Sequence, residues 1–308
     1  MKRTLAALFV TISTPGLVAA QDLSGGVTLG YGNHDIAGQG LTTTSLDGRV
    51  KLAFANGMTL GVSAGYLDLG IDGAPFDISA NFVGLDAGYD FGNGFSAGVY
   101  VEQLTGSISA LPVDLTLKSI GAEVGYTTGN LQFGAHVGRT STSPDINIDI
   151  DNVGLTAKYT PSEKLDIGGA FLRATLSSGG SEIDIDMLGV AAAYDINPQL
   201  SVFGGVSRTS ISNVDADITT MGLGVGYDLS SMTGLASVVS LEVARTELSL
   251  GGGSQDLDTV RLGLTFPLGG KGTEAPLNSV ADSIFNPEVN VRVGVVTFAP
   301  HSLTTAYH

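Results

Sequence analysis

The sequence predicts a transmembrane antiparallel up-and-down β-barrel of about fourteen strands. Three observations predict it. A unit the length of a β-hairpin recurs and ends each time on an aromatic residue. Within each unit, apolar and polar residues alternate at the period of a strand. An export signal opens the chain, and no later segment reaches the ~18 consecutive apolar residues of a membrane helix. Only helices and closed barrels satisfy every backbone polar group in lipid, so an exported membrane protein without such a helix has to be a barrel.

The repeat shows in Gly84-Leu-Asp-Ala-Gly-Tyr89, Gly121-Ala-Glu-Val-Gly-Tyr126, Gly154-Leu-Thr-Ala-Lys-Tyr159, Gly189-Val-Ala-Ala-Ala-Tyr194 and Gly222-Leu-Gly-Val-Gly-Tyr227. It returns about every 35 residues. One parity carries Val83, Leu85, Ala87 and Tyr89, then Ile120, Ala122, Val124 and Tyr126, and so on along the chain. The opposite parity carries glycine, hydroxyl and charged residues. The apolar face ends on Phe54, Tyr89, Tyr126, Tyr159, Tyr194, Tyr227 and Phe266 at one level, as an interfacial aromatic girdle does. Short turns follow that level, for example Ala55-Asn56-Gly57 and Gly92-Asn93-Gly94. A soluble sandwich alternates in the same way. The girdle, the short turns and strands long enough to cross a ~25 Å apolar band favour the membrane.

Counting the runs gives strands at 23–31, 43–54, 58–69, 78–90, 95–106, 114–127, 131–142, 146–160, 165–177, 183–195, 200–212, 218–228, 238–249 and 256–266. The even count puts both barrel ends on the short-turn side, the periplasm. Three regions result: a signal peptide at 1–20, the barrel at 21–268 and a C-terminal tail at 269–308, read as periplasmic and flexible. The signal has Lys2 and Arg3, the apolar run Leu5 to Val10, and a small-residue cleavage site at Val18-Ala19-Ala20. It directs the chain to the cell outer membrane.

Composition excludes other classes. With no cysteine, there is no disulfide framework and no thiolate metal or redox site. A formal net charge of −16 opposes nucleic acid, whose phosphates need Lys and Arg. Nothing in the sequence calls for a cofactor or a metal.

The inward parity holds the charges Asp47, Arg49, Lys51, Asp86, Glu102, Glu123, Lys158, Asp166, Glu242 and Arg261, with His136 among them. Six acids against four bases predict a pore lining with mild cation preference. The remaining inward residues are mostly Gly, Ser, Thr and Ala, and are read as leaving room for water. At the end away from the girdle the lipid-side parity turns charged. The hairpins there place Arg139 opposite Asp151, Arg173 opposite Asp186, Arg208 opposite Asp217 and Arg245 opposite Asp258. These outer-rim pairs are read either as ordinary ion pairs on solvated hairpin tips or as contacts for lipopolysaccharide phosphates.

The signal, the start Leu23-Ser24-Gly25-Gly26, the Gly-x-x-x-Gly-Tyr strands and the closing Arg261-Leu-Gly-Leu-Thr-Phe266 resemble the Gram-negative porin family, especially its alphaproteobacterial branch. The resemblance covers about 21–268. It implies passive diffusion of ions and small hydrophilic solutes through an outer-membrane channel, with membrane lipid and lipopolysaccharide as surroundings. Two departures leave monomer and trimer both open. No outer loop is long enough to fold inward as a constriction, the longest candidate being 32–42, where His34 is placed. The chain also continues past Phe266, so that Val289 to Phe298 is an alternative closing strand.

An enzyme needs an activated nucleophile or a positioned acid–base pair. His136 near Glu123 is the one such pair, and it reads more simply as an ion pair in the lumen. The chain is therefore read as a non-enzyme. The competing class is a non-conducting structural barrel of the envelope.

Overall fold

The computed structural model describes residues 20–74, 76–110, 114–214, 216–269 and 273–287. Residues 1–19 of the stretch 1–20 read as a signal peptide, and the Val289 to Phe298 segment, lie outside them. Fourteen strands form one closed, wholly antiparallel barrel. In chain order they are β1 (Ala20–Ile36), β2 (Gln39–Phe54), β3 (Met58–Ile71), β4 (Asp77–Asp90), β5 (Phe95–Ile108), β6 (Leu115–Thr128) and β7 (Leu131–Ser143). The second half is β8 (Asp149–Ser162), β9 (Leu165–Ser178), β10 (Ser181–Asn197), β11 (Leu200–Ile211), β12 (Ala216–Asp228), β13 (Val238–Leu250) and β14 (Gly253–Gly269). Each strand pairs with the next, and β14 pairs with β1, setting Phe266 opposite Val27. The closing strand is therefore the one that ends just past Phe266. A single-turn helix, α1 (Ser230–Thr233), lies in the β12–β13 connection, and α2 (Val280–Phe285) follows the barrel.

Burial is inverted relative to a soluble protein. Val83, Leu85, Ile120, Val124, Leu155, Leu188, Leu223 and Val243 are exposed on the outer face, while Thr28, Thr43, Ser119, Thr140, Thr220 and Thr259 are buried on the inner one. The five girdle tyrosines are exposed at one level, each in register with a residue at the start of the next strand, as Tyr126 is with Phe133. Phe95 packs on Tyr126 from the other side, ring centroids 4.5 Å apart.

Two sequence expectations change here. The segment 32–42 is not a loop: β1 and β2 run to a two-residue turn at Ala37 and Gly38, with φ of 51° and 86°. The Gly, Asn and Asp content of this stretch suggests a loop, yet its ladder with β2 and β14 continues to the tip. His34 is thus a strand residue on the inner face, bonded to Thr259 at 2.8 Å and Thr43 at 2.9 Å.

The second change is larger. Residues 273–287 are not a flexible tail. They pack inside the barrel, and α2 contacts β9, β10, β11 and β12. Ala275, Val280, Ala281 and Ile284 form one apolar cluster with the inward Ala170, Leu172, Met187, Ala191 and Phe203.

Candidate functional site: the barrel lumen and its internal segment

The lumen wall alternates because strand side chains alternate, so every second residue faces in. Over β9 to β12 the inward residues include Gly168, Gly189, Gly205 and Gly222. A methyl group at Gly189 would lie 2.9 Å from Ile284 Cγ1, at Gly205 2.8 Å from Ile284 Cδ1, at Gly222 2.8 Å from Val280 Cγ2 and at Gly168 2.6 Å from the Phe285 ring. The small inward residues here do not hold water; they receive a helix. Ser279 caps α2 by accepting the Asp282 N–H at 3.1 Å, which satisfies one of its free donors.

Polar anchors tie the segment to the wall. Arg49 on β2 reaches across to Asp282, donating from Nη2 at 2.7 Å and from Nη1 at 3.3 Å. The Asp282 side chain is completely buried, and Asn286 Nδ2 also donates to it at 3.0 Å. On β13, Glu242 accepts the Val280 N–H at 3.0 Å and the Arg261 guanidinium on its other oxygen. Lys158 pairs with Glu274 and lies 3.4 Å from Asp166. The Leu277 N–H donates to Thr28 Oγ1 at 3.1 Å. A buried charge without such partners would be prohibitively costly, so these contacts hold as a set.

The inward charges read from the sequence fall into three groups. Arg49, Lys158, Glu242, Arg261 and Asp166 are gathered around the internal segment. Asp47 accepts from Ser45 at 2.9 Å and lines a cavity of about 170 Å³ with Arg261, Asn278 and Ser283. The rest stand on β2 and on β4 to β6. Asp86 is half-buried there and Glu102 buried. Glu123 lies in register with His136 across β6 and β7. Lys51 is exposed near the girdle end. A second cavity, about 320 Å³, opens at that end between Glu274 to Pro276 and the β10–β11 turn.

Sequence reasoning missed Glu274, Leu277, Asp282 and Tyr100. Tyr100 donates to Asn152 Oδ1 at 3.1 Å, and Asn152 donates to Thr140 at 3.4 Å, which closes on Ser119 at 2.6 Å. The signal available for the segment was Ser279-x-x-Asp282 preceding Ile284 and Phe285, a short capped apolar helix.

At the opposite end the outward charges meet. Arg139–Asp151 (2.8 Å), Arg173–Asp186 (2.6 Å) and Arg245–Asp258 (2.6 Å) are direct cross-strand partners. Arg208 departs from the expected register: Thr219 stands opposite it, and its side chain reaches Asp217 diagonally at 2.9 Å. At this level the inner face turns apolar. Ile36, Leu41, Leu69 and Leu257 form one buried cluster, and Phe82, Leu104 and Leu117 form another. Among the described residues there is no group of three or more potential metal ligands.

Comparison with solved structures finds this architecture in outer-membrane channels. An anion-selective porin from Comamonas acidovorans is 13% identical, with a TM-score of 0.51, covering 80% of this chain and 98% of its own. A monoaromatic hydrocarbon channel, CymD, is 12% identical, with a TM-score of 0.53, covering 83% and 91%. A Pseudomonas aeruginosa FadL homologue is 14% identical, with a TM-score of 0.51, covering 82% and 90%. At these identities the likeness is one of fold. No curated protein matches the chain significantly. The pattern of Gram-negative porins matches residues 52–214, more than half of the 308-residue chain. With the barrel, the inverted burial and the girdle in place, that match assigns the chain to the Gram-negative porin family.

Proposed function

We propose that this barrel is an outer-membrane channel for passive diffusion of ions and small hydrophilic solutes, with a mild preference for cations. The carrying observation is the inner wall itself, with its buried hydroxyls and an excess of acids. To Asp47, Asp86, Glu102, Glu123, Asp166 and Glu242 the internal segment adds Glu274 and Asp282, against Arg49, Lys51, Lys158 and Arg261. A ring of net negative charge favours cations. The Comamonas porin is named for the opposite selectivity, so charge, not fold, carries the prediction. His136 and Glu123 act here as wall residues, and the protein is not an enzyme. The signal peptide directs export, and the rim arginines face lipopolysaccharide phosphates. Leucine- and valine-rich strand faces contact the lipid.

A second reading draws on the apolar inner clusters around Leu69 and Phe82, which suit a small apolar solute entering at the rim. The resemblance in fold to a monoaromatic hydrocarbon channel supports it. Planar-bilayer conductance under a salt gradient, run beside vesicle uptake of a labelled sugar and of toluene, separates the readings. Ohmic openings, a cation-shifted reversal potential and sugar uptake support the first. Toluene uptake without sugar uptake moves the substrate to the second. A folded barrel that passes neither leaves a structural role in the envelope.

A further inference from the structure

We propose that residues 273–287 form a displaceable plug that gates the channel from within. This rests on the channel reading above. Four observations carry it. The wall is complete without the segment: β14 closes directly on β1, and residues 273–287 supply no strand, so their departure breaks no ladder hydrogen bond. The seat is shallow under the helix, because inward glycines at 189, 205 and 222 present backbone to Ile284 and Val280, and withdrawal has to part α2 only from Leu172, Met187 and Phe203 among the larger wall side chains of its cluster. The cross-lumen tie is a charge pair, Arg49 with Asp282, whose strength depends on the charge of both groups, while salt screens it little because Asp282 is completely buried. Space of about 320 Å³ lies beside Glu274 to Pro276 at the girdle end, where the segment enters.

The segment also fills the lumen at the level of Arg49, Glu242 and Arg261, the region richest in inward charge. Retained, it narrows the path; withdrawn toward the girdle end, it exposes the glycine wall and frees Arg49 and Lys158 to the lumen.

The chain has no cysteine, so a single engineered disulfide is unambiguous. Val280 Cβ lies 3.0 Å from the position a Cβ would take at Gly222, close to disulfide range. The full-length double variant Gly222→Cys/Val280→Cys is reconstituted in planar bilayers, oxidised and then reduced. In parallel, Ala281→Cys, at a position wholly buried while the segment is seated, is probed in otherwise unaltered protein with a membrane-impermeant maleimide. Gating predicts that reduction raises conductance about tenfold or more and that Ala281→Cys is labelled. Equal conductance in both redox states overturns the gate and leaves the channel standing. Silence in both states with Ala281→Cys labelled overturns the channel reading, since the plug then moves without opening a path. Silence with Ala281→Cys unlabelled overturns the gate, because the segment is then a fixed part of the core.

Discussion

Glycine lines both walls of the lumen and does opposite things on each. On β9 to β12 it makes a shallow seat, flanked by Leu172, Met187 and Phe203, for a segment from elsewhere in the chain: Gly189 and Gly205 face Ile284, and Gly222 faces Val280. On β6 to β8 it makes room for side chains of the wall itself. A methyl group at Gly138 would lie 2.1 Å from Tyr100 Oη, and at Gly154 2.2 Å from His136 Cε1. The second wall is thus self-covered, while the first is covered mainly by α2, with Phe203 of the wall itself lying over Gly224. Inward glycine is therefore no measure of open lumen. What matters is which atoms lie above it.

That contrast can be broken at several points. The largest effect is expected from Arg49→Ala, which leaves the Asp282 carboxylate buried without its guanidinium. It should destabilise the seated segment by about 3–5 kcal/mol, whereas Arg49→Ala with Asp282→Asn should recover much of that. Limited proteolysis of residues 273–287 reads it, and equal protection in all three proteins would show that the segment is held by its apolar face alone. Next comes the assignment of faces on which the contrast depends. Leu155→Arg on the lipid face should cost about 2–4 kcal/mol in urea unfolding from vesicles, while Thr156→Arg should be tolerated. Equal costs would mean that the two faces are wrongly assigned.

A glycine pair tests the two walls directly. Gly205→Leu should overpack against Ile284 and cost about 1–3 kcal/mol, releasing the segment to protease while the barrel stays folded. Gly138→Ala should displace Tyr100 and break its bond to Asn152, at about 1–2 kcal/mol, with the segment still protected. If both variants release it, the walls are coupled and the distinction fails. The smallest effect belongs to the rim. Arg139→Ala removes an exposed ion pair and should leave the unfolding midpoint unchanged within error. A reproducible drop would show that the rim pairs act as a network.

The barrel was legible because its signals are local and repeated. Period-two alternation and an aromatic at the end of each unit place fourteen strands and both faces from Val83–Tyr89 onward, and hairpin symmetry sets Arg139 against Asp151. Arg208 shows the limit: its hairpin register differs by two residues, and only a long side chain restores the pair. The internal segment was illegible for a different reason. Six helical residues carry too little periodicity to announce themselves, and their stability comes from a wall assembled from distant strands. Inward Gly and Ala read equally as pore lining or as seat, and only the fold distinguishes them.

The seam between β1 and β14 has a consequence for assembly. Thr28 and Thr265 meet across 237 positions of chain, and contacts of such separation are the most costly in chain entropy to form. All fourteen strands can pair with their sequence neighbours, as thirteen hairpins, well before that seam exists. Once it zips, the space that α2 occupies becomes an enclosed tube. Either the helix is already lying on β9 to β12 when the edges meet, or it threads in afterward through the girdle end. In the first case its glycine seat serves as an assembly jig, and variants that spoil the seat would slow the maturation of the barrel as well as unseat the helix.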